Sequence, residues 1–363
     1  MTTMEQRPDQ IDQTLGADVY AGRVARTLNS GFIAVMISVG HRTGLFDTLA
    51  ALPPSTSQQV AAAAGLAERY VREWLAGMAS ARIIDYDART ATYFLSIEYA
   101  AVLARCAGPN NLAPAAQLLS LLASAEDQVV EGFRGGGGLL TDASERVNEA
   151  MAAEKRQLID ESFVDGLLDL MPAMRVRLDA GATVLDAGCG DGRLLVTMAR
   201  MYPRSLFRGY DISRGAIRRA REAIGEAALG NVDVEVGDVA SLDEPHAYDL
   251  VFAFGSISEQ AFPRLVLRNL FRAMKGDGRF VMQEIAASSH LVRNIEHPFA
   301  PMLYAISCMH AIPMAAGQEG EALGTMWGQE RAMQMLVETG FSSIRFESLA
   351  PDPLHYYCIA GVR

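Results

Sequence analysis

The stretch T-V-L-D-A-G-C-G-D-G-R-L-L, Thr183 to Leu195, decides the fold. An apolar run, Val184-Leu185, ends on Asp186, glycines follow at every second position (Gly188, Gly190, Gly192), and a helical pattern starts at Arg193. This pattern predicts a strand, a tight glycine turn and a helix N-terminus. Glycine permits positive φ, and without a Cβ it lets a ligand lie directly against the backbone. The helix behind the turn offers unpaired N–H groups to a carboxylate or phosphate.

The dinucleotide fingerprint is spaced G-x-G-x-x-G. Here the third glycine comes one residue early and an acid closely precedes the turn, which favours S-adenosylmethionine (SAM) over NAD. Downstream, strands and helices alternate as in a parallel sheet with crossover helices. Strands are expected at 206–211, 232–236, 249–254 and 279–285, the last after a K-G-D-G turn, with two more at 343–349 and 354–362. The expected fold is α/β, a Rossmann-like doubly wound seven-stranded sheet behind an N-terminal, mostly helical winged-helix domain.

In such a sheet, ligands bind outside the carboxyl ends of the strands at the switch point. Asp186 is placed to orient the turn and reach a ligand ammonium. Asp211, 25 residues on, can accept both ribose hydroxyls. Gly237 and Asp238 end the third strand, where Asp238 can accept from an adenine amino group, with Ile212 and Val239 as apolar walls. Phe254 ends the fourth. With Gly188, Cys189, Gly190 and Gly192, these form the expected cofactor site. Taken singly, acids at strand ends are often just helix caps.

Upstream, residues 1–17 read as a disordered tail and 18–130 as a winged-helix dimerisation or lid domain. A helix over 18–40 presents Val24, Leu28, Phe32, Met36 and Val39 on one face. A short helix follows, then one starting at Ser57 as N-cap and ending at Gly65, then one over 67–80, and a hairpin over 82–96. Residues 112–130 read as one helix. Residues 131–178 are a glycine-rich flap and helical linker, in which the run Gly135–Gly138 reads equally as a free linker or as a mobile flap near the ligand. The SAM-binding domain is expected over 179–363, with a cap insertion at 286–326.

A net charge of −11 over 363 residues argues against a protein that grips phosphate backbones. Residues 1–130 carry nine arginines and no lysine against twelve acids, and Arg69 and Arg72 of the would-be recognition helix sit beside Glu68 and Glu73. The electrostatic footprint of DNA binding is missing, so no nucleic-acid partner is expected. The four cysteines form no C-x-x-C pair. No signal-peptide pattern or bilayer-length apolar run is seen, which makes the expected location cytoplasmic, without membrane contact. No metal-ligand spacing is found, and no metal is expected.

Residues 183–285 resemble a class I SAM-dependent methyltransferase, with D-A-G-C-G-D-G as the motif that carries the likeness. The winged-helix front, F-R-G-G-G-G, the run 297–310, L-G-T-M-W-G (323–328) and the closing A-G-V-R extend it. They resemble a bacterial group that pairs a winged helix with this fold and includes a mycobacterial methyltransferase of unsettled acceptor. The resemblance implies methyl transfer from SAM to a small, apolar or aromatic molecule by a homodimer. The chain departs from the group where H-D-Q becomes Ser258-Glu259-Gln260 and where Ala311-Ile312 follows the M-H pair. Two other readings stand beside it: a methyltransferase-fold protein that uses SAM without methyl transfer, and a SAM-sensing winged-helix transcriptional regulator.

A base is needed only for an acceptor that must lose a proton. Glu259, at the mouth of the site, and His310 are the candidate catalytic residues. Equally, Glu259 could cap the next helix and His310 could be a satisfied core histidine. His290, Tyr304, Met309, Met314 and Trp327 are candidate acceptor-binding residues, or else core, and His297 either acts as a base or shapes a turn before Pro298.

Overall fold

The computed structural model describes residues 16–138, 146–151, 158–350 and 352–362. Most of the expected N-terminal tail, residues 1–15, and parts of the linker therefore lie outside the described residues. The chain divides into two compact units, one ending at Ser120 and one beginning at Leu121.

In the first unit, α1 (Ala17–Thr43), α2 (Leu45–Ala51), α3 (Ser57–Ala64) and α4 (Glu68–Ser80) precede the short antiparallel pair β1 (Asp85–Asp87) and β2 (Thr92–Phe94). The N-cap of α3 is Thr56, not Ser57. Thr56 Oγ1 accepts from Gln59 N–H while Gln59 Oε1 accepts from Thr56 N–H, a reciprocal capping box. Ser57 instead donates to Glu68 Oε1 at 2.6 Å and ties α3 to α4. The core gathers on Trp74, whose ring meets Phe46 edge-on at 5.2 Å and whose indole donates to Met36 O at 2.8 Å. Arg72 pairs with Glu68 and Arg69 with Glu73. The face of α1 that carries Tyr20, Val24, Leu28, Phe32 and Val39 is exposed, with Phe32 at 72%.

In the second unit, β3 (Thr183–Ala187), β4 (Leu206–Asp211), β5 (Val232–Val236), β6 (Tyr248–Phe254) and β7 (Met274–Ile285) run parallel. β8 (Ser342–Leu349) and β9 (Asp352–Gly361) complete one sheet of order β5-β4-β3-β6-β7-β9-β8, with β9 antiparallel to both neighbours. The order reverses between β3 and β6, so the carboxyl ends of these two strands form the switch point. β6 is buried along its whole length, as a strand covered on both faces must be. Helices 193–201, 161–169 and 172–180 contribute to the core containing Phe252 and Phe254, and helices 263–273 and 328–339 to the core containing Val251 and Ala253.

Two further expectations are revised. Residues 112–130 are not one helix: a 3-10 turn at Ala113–Ala115 leads to helix Ala116–Ala123, and a new helix runs Glu126–Gly135. This second helix carries through the first glycine of the run and closes on Gly136 at φ +70°. The K-G-D-G segment falls inside β7 but interrupts its pairing: Tyr248 pairs with Met274 and Leu250 with Arg279, so residues 275–278 form an irregularity in the strand, with Lys275 Nζ 2.7 Å from Asp249 Oδ2. A Cβ on Gly278 would stand 3.0 Å from Lys275 O and 3.2–3.3 Å from the carbonyls of Tyr248 and Asp249, a tight fit that favours glycine.

Candidate functional site

All three glycines after β3 adopt positive φ: Gly188 at +86°, Gly190 at +55° and Gly192 at +74°. Their surroundings differ. A Cβ on Gly188 would lie 2.7 Å from Ser256 Cβ, and one on Gly192 would lie 3.1 Å from Ala220 Cβ. A Cβ on Gly190 would meet nothing within 4 Å. Gly188 and Gly192 thus permit close packing of the turn on the scaffold, and Gly190 presents bare backbone to open space.

Asp211 fastens this turn. Its Oδ2 accepts from Gly190 N–H at 2.9 Å and its Oδ1 from Ser213 N–H at 2.8 Å, so one carboxylate fixes the turn above β3 and the entry to helix 214–226. Each oxygen keeps a lone pair. Beside it, Ile212 is 68% exposed, an apolar side chain standing open at the strand ends. Gly237 N–H donates to Asp211 O at 3.0 Å, and Asp238 Oδ1 accepts from Ala240 N–H at 2.8 Å as the cap of a short 3-10 turn. Asp186 is buried at the end of β3.

Three expected cofactor residues turn their side chains into the core. Cys189 Sγ fills the space left by Gly209, where a Cβ would lie 2.7 Å from it. Burial, with the Asp186 and Asp211 carboxylates nearby, pushes that thiol far up from its ordinary value. Only the backbone of Cys189 is therefore available to a ligand. Val239 belongs to the core with Leu185 and Tyr248, and Phe254 sits in an aromatic cluster with Phe163, Phe252 and Tyr357.

On the acceptor side the expected residues take different roles. Glu259 is half-buried just beyond β6, four residues before helix 263–273, whose N-cap is Phe262. Trp327 is core, and its indole donates to Glu284 Oε2 at 3.2 Å. Glu284 Oε1 accepts from Ser258 N–H at 3.1 Å. This fully buried carboxylate at the end of β7 fixes the 258–260 segment, and the sequence reading passed over it; the only signal was an acid inside V-M-Q-E-I. His290 lines an open cleft with Arg264, Glu330 and Arg331, and Tyr304 bonds Asn294 at 3.0 Å. Met309 packs on Ala125 and Val129, and Met314 is half-buried. His310 lies in a π-helical turn, Ser307–Ala311, with Nε2 2.7 Å from Asn148 Oδ1, and burial pulls its pKa down to about 4. It is a neutral, satisfied histidine. His297 Nδ1 accepts from Phe299 N–H at 3.2 Å and shapes its turn. Among the described residues no cluster of three or more His, Cys, Asp or Glu is arranged to hold a metal ion, and no helix is long and apolar enough to cross a membrane.

Comparison with known families matches residues 178–340 to a family described as a methyltransferase domain. This match lies within the second unit. Residues 31–105 match the Rv2258c-like winged HTH domain. A trans-aconitate 2-methyltransferase of Methylobacterium nodulans is 34% identical over 137 residues, 36% of this chain and 51% of that protein. The (S)-tetrahydroprotoberberine N-methyltransferase of Eschscholzia californica is 28% identical over 112 residues, 31% of this chain and 32% of that protein. The chain thus spans about half or less of the length of these curated relatives. The fold is that of human N-acetylserotonin methyltransferase, solved with SAM, at TM-score 0.64 and 15% identity over 97% of this chain and 99% of that one. PigF with SAH superposes at TM-score 0.67 and 17% identity, covering 96% of this chain and 100% of that one.

Proposed function

We propose that this chain is a SAM-dependent methyltransferase acting on a small, apolar or aromatic acceptor. The observation that carries the reading is the turn Gly188–Gly192. It is closely packed at both outer glycines, bare at Gly190, and fastened by Asp211 at the switch point of the sheet. These residues fit SAM. The backbone of 188–192 would receive the amino-acid end, the remaining lone pairs of Asp211 the ribose hydroxyls, and Ile212 one face of the adenine, with Asp238 at its edge. Bound SAM would supply an activated methyl group on a sulfonium. The protein's task is then to align the acceptor and exclude water, which can provide much of the acceleration.

The exposed stripe of α1 supports a homodimer formed through the first unit, since a contiguous apolar helix face is a typical self-association surface. Arg69 and Arg72, each already paired with a glutamate, speak against nucleic-acid binding. A cytoplasmic enzyme is the accompanying reading. The test is incubation of the full chain with SAM and a panel of phenols, thiols and amines, followed by mass spectrometry. Methyl transfer adds one CH₂ to the acceptor and yields S-adenosylhomocysteine (SAH), and Asp211→Ala abolishes both. SAM binding with no methylated product from any acceptor would instead support a non-methylating use of SAM.

A further inference from the structure

β9 begins at the carboxyl edge of the parallel strands, beside the end of β7, with Gln283 opposite Tyr357 and Ile285 opposite His355. Asp352, the first residue of β9, is buried there and accepts three hydrogen bonds: from Gln283 Nε2 at 2.9 Å, from the Tyr357 hydroxyl, and from His355 Nδ1 at 2.7 Å. Burial opposes ionisation, but these donors more than offset it and hold the carboxyl below its ordinary value. Burial and the Asp352 charge push the Tyr357 hydroxyl well up, so it stays a donor.

The arrangement fixes the histidine tautomer. A carboxylate can only accept, so Nδ1 carries the proton and Nε2 of the neutral ring has a free lone pair. Nε2 makes no hydrogen bond among the described residues, and the His355 side chain is 16% exposed. The dyad therefore has one nitrogen locked by a buried acid and the other open, the geometry of an oriented base.

Its place suits an acceptor. The neighbouring Ile285 and Leu354 pack against Ala300, Leu303 and Met326 of the cap insertion, and the Tyr357 ring meets Phe254, at the end of β6, at 5.9 Å. Three strand spacings, about 14 Å, separate β9 from β3 and its glycine turn. A small aromatic molecule lying over the ends of β6 and β7 would bridge the reach from the sulfonium to His355.

We propose that His355, positioned by Asp352, is the general base for a hydroxyl acceptor, an inference that rests on the methyl-transfer reading above. As the acceptor oxygen bonds to the methyl carbon, the carbon–sulfur bond breaks and its electron pair stays on sulfur. The hydroxyl proton passes to His355 Nε2, the imidazolium is stabilised by the Asp352 carboxylate, and the proton is then released to water. Thiols, which ionise readily on their own, depend on the base far less.

The test compares the full chain with His355→Gln and Asp352→Asn on SAM plus catechol, 1-naphthol and thiophenol, with SAH affinity measured by calorimetry and the His355 ring nitrogens followed by ¹⁵N NMR. The proposal expects the Nδ1–H tautomer in the wild type. It expects SAH affinity within about twofold in both variants, a fall in phenol kcat of about 100-fold or more in His355→Gln, and a much smaller fall for thiophenol. Asp352→Asn should lose the tautomer preference together with phenol turnover. An Nε2–H tautomer in the wild type, equal losses on phenols and thiophenol, unchanged phenol turnover, or turnover of thiophenol alone by the wild type would each overturn it. A wild type that converts none of the probes removes the methyl-transfer reading and the base with it. Turnover of all three by His355→Gln at wild-type rates removes the base alone.

Discussion

Substituting alanine at two glycines of one turn separates scaffold from cradle. At Gly188 a methyl group would stand 2.7 Å from Ser256 Cβ on a residue at φ +86°. Left-handed backbone costs a non-glycine residue roughly 1–2 kcal/mol, and overpacking a well-filled core adds about 1–3 kcal/mol. Gly188→Ala should therefore lose about 2–5 kcal/mol. At Gly190, φ +55°, the methyl meets nothing within 4 Å, so only the backbone cost of roughly 1–2 kcal/mol applies. The open side of Gly190 is the side a ligand would occupy, so Gly190→Ala should weaken SAH binding by more than about tenfold, which corresponds to about 1.4 kcal/mol. Urea unfolding and calorimetric titration read the two quantities separately. Wild-type SAH affinity in Gly190→Ala, or equal stability losses at the two sites, would refute the assignment of roles.

Other perturbations follow from single contacts. His310, drawn down to about 4 from an ordinary value of 6.5, stays neutral in the fold while the unfolded chain takes up a proton. Stability should therefore fall by roughly 3 kcal/mol as pH drops from about 6.5 to about 4, and His310→Gln should flatten that part of a urea-midpoint profile. Glu284→Ala strands the Ser258 amide and the Trp327 indole, each loss costing about 1–3 kcal/mol, and should depress methyl transfer more than SAH affinity because it frees the 258–260 segment. Phe32→Glu places a charge in the exposed stripe of α1 and, on the proposed homodimer, should shift sedimentation towards the monomer.

The strand-turn-helix at 183–195 and the acids at the ends of β4 and β5 were legible because their requirements are local. A left-handed turn needs glycine, and a cap needs a short acceptor. The same logic placed the Gly65 stop of α3, at φ +66°. Side-chain direction was not legible. Cys189 turns inward because Gly209, on the neighbouring strand, leaves room for its sulfur. Glu284 gains its meaning from Trp327, 43 residues away, and from Ser258 across the sheet edge. His355 falls at the start of the strand expected at 354–362 and Asp352 two residues before it, and only the fold, which brings the Gln283 amide to Asp352, shows that the acid is buried. The single helix expected over 112–130 failed because apolar periodicity continues through the break between Ala123 and Glu126.

The central claim is that the turn at 188–192 with Asp211 holds SAM. Calorimetric titration of the full chain with SAH, alongside NAD and with Asp211→Ala as control, tests it most directly. Saturable SAH binding at one site per chain, lost in Asp211→Ala, with no heat from NAD, is the predicted result. No SAH binding, or SAH binding indifferent to Asp211→Ala, would contradict it.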